Sequence, residues 1–171
     1  TLRAIADVDQ ARVDRVVQQT GCDGVTDYRA LLERADIQIV MIGLPHWLHE
    51  EVAVAAAEAG KHIFLEKPMA DTLEECDRIQ AAVDRNGIQL MVGHNQHFMM
   101  PNMEARRILH SGELGRIVFA TDTWYKPFGL EGRPAWFLDR AQGGGMWQMN
   151  GAHMLDRMRW VIDSPIVADQ A

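Results

Sequence analysis

Lys67 stands in Glu66-Lys67-Pro68, directly after the short apolar run His62-Ile63-Phe64-Leu65. A lysine at the end of a buried strand can be desolvated, and desolvation lowers its pKa towards the range useful for proton transfer. An exposed turn lysine is the plainer alternative. His153 falls on a predicted helix where Met149, His153 and Arg157 share one face at intervals of four, with Asp156 beside them. It reads as either a structural or a catalytic histidine. Gly143-Gly144-Gly145, ahead of that helix, permit close approach of a ligand. Asp7 closes the opening apolar run. A dinucleotide-binding sheet places at that point the acid that holds the adenosine ribose hydroxyls, and a carboxylate there repels a 2′-phosphate. A solvated loop acid is the alternative.

Other chemistries have less behind them. His46/His49 and His94/His97 each have the His-x-x-His form, which keeps a metal-assisted hydrolase or lyase as a rival reading. Metal sites generally need a third ligand and outer support, and no Cys cluster or His-Glu-x-x-His accompanies either pair. No metal is expected. No Gly-x-Ser-x-Gly elbow supports serine hydrolysis. Met91, Met99 and Met100 read as packing residues.

The elements that must position these residues alternate strand and helix over the first ninety-five positions. Thr1 to Asp7 reads as a strand. Asp9 caps a helix with Val13, Val16 and Val17 on its apolar stripe, closed by Gly21. Asp27 caps a shorter helix. Ile37 to Gly43 is a nearly continuous apolar run, which predicts a strand covered on both faces. Pro45 opens the next helix, with Gly60 at its C-cap, and His62 to Leu65 is a short buried strand. Thr72-Leu73-Glu74-Glu75 is a capping box whose helix buries Cys76, Ile79 and Val83 and stops at Gly87. Ile88 to Gly93 is the last strand of the series. Such alternation predicts right-handed crossovers and an α/β, doubly wound parallel sheet. Ligands of such a sheet sit beyond the carboxyl ends of its strands. Asp7, Leu44-Pro45, Glu66-Lys67 and His94-Asn95 all fall there.

After Met100 the texture changes. Pro101 starts a helix with Ala105, Ile108 and Leu109 inward, closed by Gly112, and Ile117 to Trp124 reads as a long strand. An irregular stretch from Lys126 to Gly145 leads into a helix from about Met146 to Ile162. The division is therefore residues 1–97, a dinucleotide-binding domain, and residues 98–171, the beginning of a second, α+β domain. Both ends of the chain break into apolar segments, so a fragment of a longer protein is expected, N-terminally incomplete in its sheet.

Composition fits this frame. The 171 residues are 47% hydrophobic and 24% charged, which excludes disorder and low complexity. Seventeen Lys+Arg against 24 Asp+Glu give a formal charge of −7, with the basic residues scattered, so no nucleic-acid partner is expected. No apolar run approaches the length of a membrane span, so no membrane partner is expected either. Cys22 and Cys76 have no metal spacing and no disulfide framework, which suits a reducing, cytoplasmic setting.

Ala6-Asp7-Val8-Asp9, Leu44-Pro45-His46-Trp47-Leu48-His49, Ala59-Gly60-Lys61-His62 leading to Glu66-Lys67-Pro68, Val92-Gly93-His94-Asn95, and Gly143-Gly144-Gly145 with Gly151-x-His153-x-x-Asp156 occur in one order. Together they resemble the Gfo/Idh/MocA family of NAD(P)-dependent oxidoreductases, over essentially the whole chain. The resemblance implies a Rossmann domain followed by a C-terminal α+β domain with a large, mostly antiparallel sheet. It places Lys67 beside nicotinamide and substrate, His153 facing it from the second domain, and Asp7 at the ribose. On the cofactor side it adds Leu44, Pro45, His46, His49, Glu66 and Asn95; on the substrate side, Asn150 and Trp136. The glycine loop and first strand of the family's fold are absent, as is most of its C-terminal sheet. The family often has an aspartate four residues before the histidine, where this chain has Met149; on an α-helix Asn150 lies about 100° further round.

The reading that follows is hydride transfer between nicotinamide and a hydroxyl- or carbonyl-bearing carbon of a polyol, sugar or cyclic diol. Lys67 or His153 handles the hydroxyl proton. NAD is favoured at Asp7, although Arg3 and Arg12 flank the site and keep NADP possible. Specificity falls to loop contacts between Trp124 and Arg140. The resemblance also suggests a homodimer or homotetramer through the second domain's sheet. The alternative is an NAD(H)-binding relative without turnover, regulatory or structural.

Overall fold

The computed structural model describes residues 1–125, 132, 134–139, 142 and 145–167. β1 (Ala4–Ala6) passes through α1 (Gln10–Thr20) to β2 (Asp23–Val25), and the short α2 (Arg29–Leu32) leads to β3 (Ile39–Ile42). A 3₁₀ turn (His46–Leu48), α3 (His49–Glu58), β4 (His62–Leu65), α4 (Leu73–Asn86) and β5 (Leu90–Val92) follow. Every pairing is parallel. β1 pairs with β2, and β3, β4 and β5 form a second sheet in that order. These are the parallel strands and intervening helices that the alternation predicts.

Local signals act as read. The Asp9 carboxylate accepts the Ala11 N–H at the start of α1, and Thr72 and Glu75 form the reciprocal capping box of α4. α3 ends one residue earlier than expected. Ala59 is its cap and Gly60, at φ 72°, takes the left-handed turn that lets its own N–H reach Ala57 O while the Lys61 N–H reaches Ala56 O. The core lies between α3, α4 and one face of the three-stranded sheet. Ile42, Ile63 and Leu65 meet Val52, Ala53, Ala56 and Ala57 of α3 and Ile79, Ala82 and Val83 of α4. Alanines on α3 let the two helices approach closely, so both cover the same strands.

β2 has no counterpart in the sequence pattern, because Asp23 and Gly24 are exposed and only three residues pair. Gly24 lies beneath α1. A Cβ there would fall 2.4 Å from Val13 Cγ1 and 2.7 Å from Val17 Cγ2, so the glycine admits the helix. β3 corrects the expectation of a strand covered twice. Ile42 is buried, but Ile39 and Met41 are 65% and 72% exposed on the opposite face, which no described element covers. A continuous apolar run marks both faces as apolar without supplying the cover.

Beyond β5, a 3₁₀ turn (Asn95–Phe98) leads into α5 (Met100–His110). Ala105 of α5 is exposed rather than inward, while Ile108 and Leu109 are half-buried. The long strand expected from Ile117 to Trp124 is not formed: the segment pairs with no strand among the described residues, and Val118 and Phe119 are exposed. A strand requires a ladder partner, whatever its propensity. No antiparallel sheet therefore stands among the described residues. Gly143, Gly144 and most of the irregular stretch after Tyr125 lie outside them. The last helix begins with a π turn (Trp147–Gly151) and continues as α6 (Ala152–Ile162), instead of running as α-helix throughout.

Candidate functional site

Because β3, β4 and β5 are parallel, Gly43-Leu44, Glu66-Lys67 and Gly93-His94 leave their strands at the same, carboxyl edge, while Asp7 leaves the carboxyl end of β1 in the first sheet. Backbone bonds join that edge. The Glu66 N–H donates to Ile42 O at 2.9 Å, and the Gly93 N–H donates to Leu65 O at 2.8 Å. His49 ties two of its loops together. Its ring, 0% exposed, has Nδ1 2.9 Å from Pro68 O and Nε2 2.9 Å from Leu44 O. Carbonyls only accept, so the ring's N–H serves one of these oxygens or the other according to its tautomer. His49 thus faces protein on both nitrogens.

Lys67 follows β4 and is joined to Pro68 by a cis peptide bond. Its Nζ donates to the backbone oxygen of Met149 at 2.7 Å, across 82 residues. Nearby, Gln148 Nε2 donates to Asp71 O at 2.8 Å. These contacts bring the π turn, and with it Asn150 and His153, to the end of β4. His153 is buried, with the Trp124 indole edge-on at 6.2 Å. The Met149 side chain is only 5% exposed, while Asn150 is half-exposed. At Gly151 a Cβ would stand 2.7 Å from the Trp147 ring, so this glycine lets the indole lie on the helix backbone.

His46 is buried beside His49 and under Trp136, which meets it edge-on at 5.5 Å and meets Trp47 at 5.4 Å. Burial first, then the nearby His49 and Lys67, push the His46 pKa down to about 4. Its Nδ1 lies 3.8 Å from Asp71 Oδ1. Burial, reinforced by Glu75, raises the Asp71 carboxyl above its usual range, against the opposing pull of His49.

Asp7 stands at the end of β1. Its Oδ1 accepts the Asp9 N–H at 2.9 Å, Oδ2 lies 3.5 Å from Arg12 Nη1, and the side chain is 29% exposed. Asn95 is exposed on the turn after β5. A carboxylate at one strand end, open loop ends at the others and an ammonium at β4 make a donor and acceptor set that fits a dinucleotide. The His-x-x-His pairs go separate ways. His46 and His49 pack as described, while His94 and His97 approach Asp156. Among the described residues, no group of three His, Cys, Asp or Glu side chains is arranged to hold a metal ion.

Sequence reasoning missed Gln148, Asp71 and the Asp122–Arg157 ion pair that supports α6 at 2.6 Å. Their partners lie 35 to 77 residues away, beyond any local spacing signal.

A family model described as an oxidoreductase family with an NAD-binding Rossmann fold matches residues 1–94, and the model of that family's C-terminal domain matches residues 102–171. The chain belongs to the Gfo/Idh/MocA family. It is 38% identical over 141 residues to a 1-carboxy-3-chloro-3,4-dihydroxycyclohexa-1,5-diene dehydrogenase of Comamonas testosteroni, covering 82% of this chain and 36% of that protein. It is 34% identical over 129 residues to an alpha-N-acetylgalactosaminidase of Shewanella oneidensis, covering 68% of this chain and 28% of that one. A solved levoglucosan dehydrogenase in complex with NADH and levoglucosan superposes with a TM-score of 0.78 at 30% identity, over 94% of this chain and 44% of that chain. This chain thus spans less than half the length of these Gfo/Idh/MocA proteins. No helix among the described residues is long and apolar enough to cross a membrane.

Proposed function

We propose that the chain is part of an enzyme that transfers a hydride between nicotinamide and a hydroxyl- or carbonyl-bearing carbon of a polyol, sugar or cyclic diol. The contact of Lys67 Nζ with the Met149 carbonyl carries this reading, because it seats a proton-handling group against the helix of Asn150 and His153. Family membership supports the scaffold. The names of the relatives, two dehydrogenases and a glycosidase, leave the reaction to the site itself.

The nicotinamide cofactor supplies the hydride acceptor or donor. Asp7 holds the ribose hydroxyls, and the loop ends Leu44-Pro45, Glu66 and Asn95 line the cofactor's path. Residues 1–97 do this work, and residues 98–171 present the substrate side. Lys67 or His153 takes the hydroxyl proton in the oxidising direction. Asn150 offers a polar contact to substrate, and Trp136, resting on His46, walls the site. At the cofactor's edge His49 ties the loops of Leu44 and Pro68 together, with His46 packed beside it. Free Cys22 and Cys76 fit a cytoplasmic setting. The exposed Val118 and Phe119 supply an apolar strip through which copies associate as a dimer or tetramer.

The test is direct. Polyols, anhydrosugars and cyclic diols deuterated at the carbinol carbon are offered with NAD⁺, and deuterium at nicotinamide C4 is followed by NMR. Transfer from any of them supports the proposal; absence across the panel, with NADH bound, defeats it. That outcome would favour the second reading, a cofactor-binding relative without turnover. One observation speaks for this rival: no carboxylate side chain stands four residues before His153, where Met149 is buried instead.

A further inference from the structure

α6 is held by unusually little grease. His153 is its one buried residue, and no residue of α5, the helix packed beside it, is buried. Apolar interdigitation therefore does little to fix how far α6 slides along its axis, although His153 and the Met149 carbonyl must both arrive at Lys67.

Close polar approaches three residues further along α6 supply the missing constraint. His97 Nε2 lies 2.8 Å and His94 Nδ1 3.5 Å from one and the same oxygen, Asp156 Oδ2. All three atoms are sealed from solvent, and no hydrogen bond reaches any of them, so these polar atoms face only one another. The His97 ring stacks on Trp160 of α6 at 4.6 Å and 9°. The remaining charges at this junction are already engaged. Arg157 is held bidentately by Asp122 and donates to Gln96 Oε1, while Arg106 lies over Trp160 and 3.5 Å from Asp163. Asn102 Nδ2 fixes the turn itself through Gln96 O at 2.8 Å. Asn95, on the cofactor side of that turn, is two residues from His97, and His153 is three residues from Asp156 on α6.

We propose that His97, acting through Asp156, is a positioning residue that sets the register of α6 against the cofactor-side edge and so delivers His153 to Lys67. The proposal rests on the hydride-transfer reading for its catalytic consequence, but its structural half stands apart. His97→Phe keeps an aromatic ring over Trp160 and deletes Nε2. His97→Gln restores an N–H donor near that position without the ring. Asp156→Asn removes the charge from the acceptor side.

In the whole protein with NADH bound, hydrogen–deuterium exchange of amides 147–158 should quicken in His97→Phe and Asp156→Asn and return towards wild type in His97→Gln. Turnover should fall about tenfold or more in the first two, as misplacement of catalytic groups predicts, with NADH affinity within about twofold of wild type. Wild-type exchange in His97→Phe overturns the proposal, and so does wild-type turnover despite faster exchange. If His97→Phe does not fold, Asp156→Asn and His97→Gln decide the matter by the same readouts. A wild-type protein that transfers no hydride would fail the hydride-transfer reading, while the exchange measurements would still judge this one.

Discussion

Lys67 and Met149 meet through a side chain on one part and a backbone on the other: the ammonium donates to the Met149 carbonyl oxygen at 2.7 Å. A carbonyl is a neutral acceptor, so this contact aims the ammonium without giving it a counter-charge. π turns commonly mark functional positions in helices, and this one puts the backbone, rather than a carboxylate, at the lysine.

Lys67→Ala should therefore leave NADH affinity nearly intact while turnover falls about 10²- to 10⁴-fold, the usual contribution of a placed acid–base group. Lys67→Arg should rescue little, since a guanidinium keeps its proton. His153→Ala should also slow turnover, and the double variant should be less than additive if both groups serve one proton. Steady-state rates with fluorescence titration of NADH measure all of this. A folded Lys67→Ala protein with wild-type turnover would make Lys67 a surface lysine only.

His49→Ala should destabilise the fold. The substitution removes the ring that lies between two carbonyl oxygens, Leu44 O and Pro68 O, and empties a fully buried site. At about 1–3 kcal/mol for the carbonyl left unsatisfied, together with about 1–2 kcal/mol for the emptied site, the loss should be roughly 2–5 kcal/mol. Urea unfolding reads it, and a loss under about 0.5 kcal/mol would contradict the bridging role.

The depressed His46 pKa has a defined consequence for stability. In the folded protein His46 takes up its proton near pH 4, against the ordinary 6.5 when unfolded. Between those values the unfolded state binds more protons, so stability attributable to His46 is present above about pH 6.5 and is lost as pH falls towards 4. Wild type should lose stability relative to His46→Asn across that window, by roughly 3 kcal/mol at most. Asp71, whose raised carboxyl works in the opposite sense, remains in both proteins and cancels in the comparison. Parallel unfolding curves from pH 7 to 4 would refute the prediction.

Cofactor choice should follow Asp7. NADH should bind more tightly than NADPH, because the carboxylate repels a 2′-phosphate. Arg12, 3.5 Å away, partly offsets that repulsion, so Arg12→Ala should widen the preference and Asp7→Ala should narrow it. Titration of both reduced cofactors against the three proteins decides; tighter NADPH binding by wild type would defeat the assignment.

Sequence alone determined whatever local chemistry controls. Asp9, the Thr72–Glu75 box, Gly21 and Gly87 mark where helices begin and end because capping is settled within four residues. The alternation of apolar runs fixed parallel strands, and parallel strands put Lys67 and Asn95 beyond one edge and Asp7 at the carboxyl end of β1. The tertiary structure decided everything that depends on a distant partner. β2 exists only because β1 lies beside it, and the run from Ile117 to Trp124 lacks a ladder although its propensity favours one. His49 faces two carbonyls, and the buried Met149 offers Lys67 its backbone, through contacts that span 5, 19 and 82 residues. No periodicity encodes such pairs. They arise when long-range packing brings together groups whose local sequence is indifferent to the meeting.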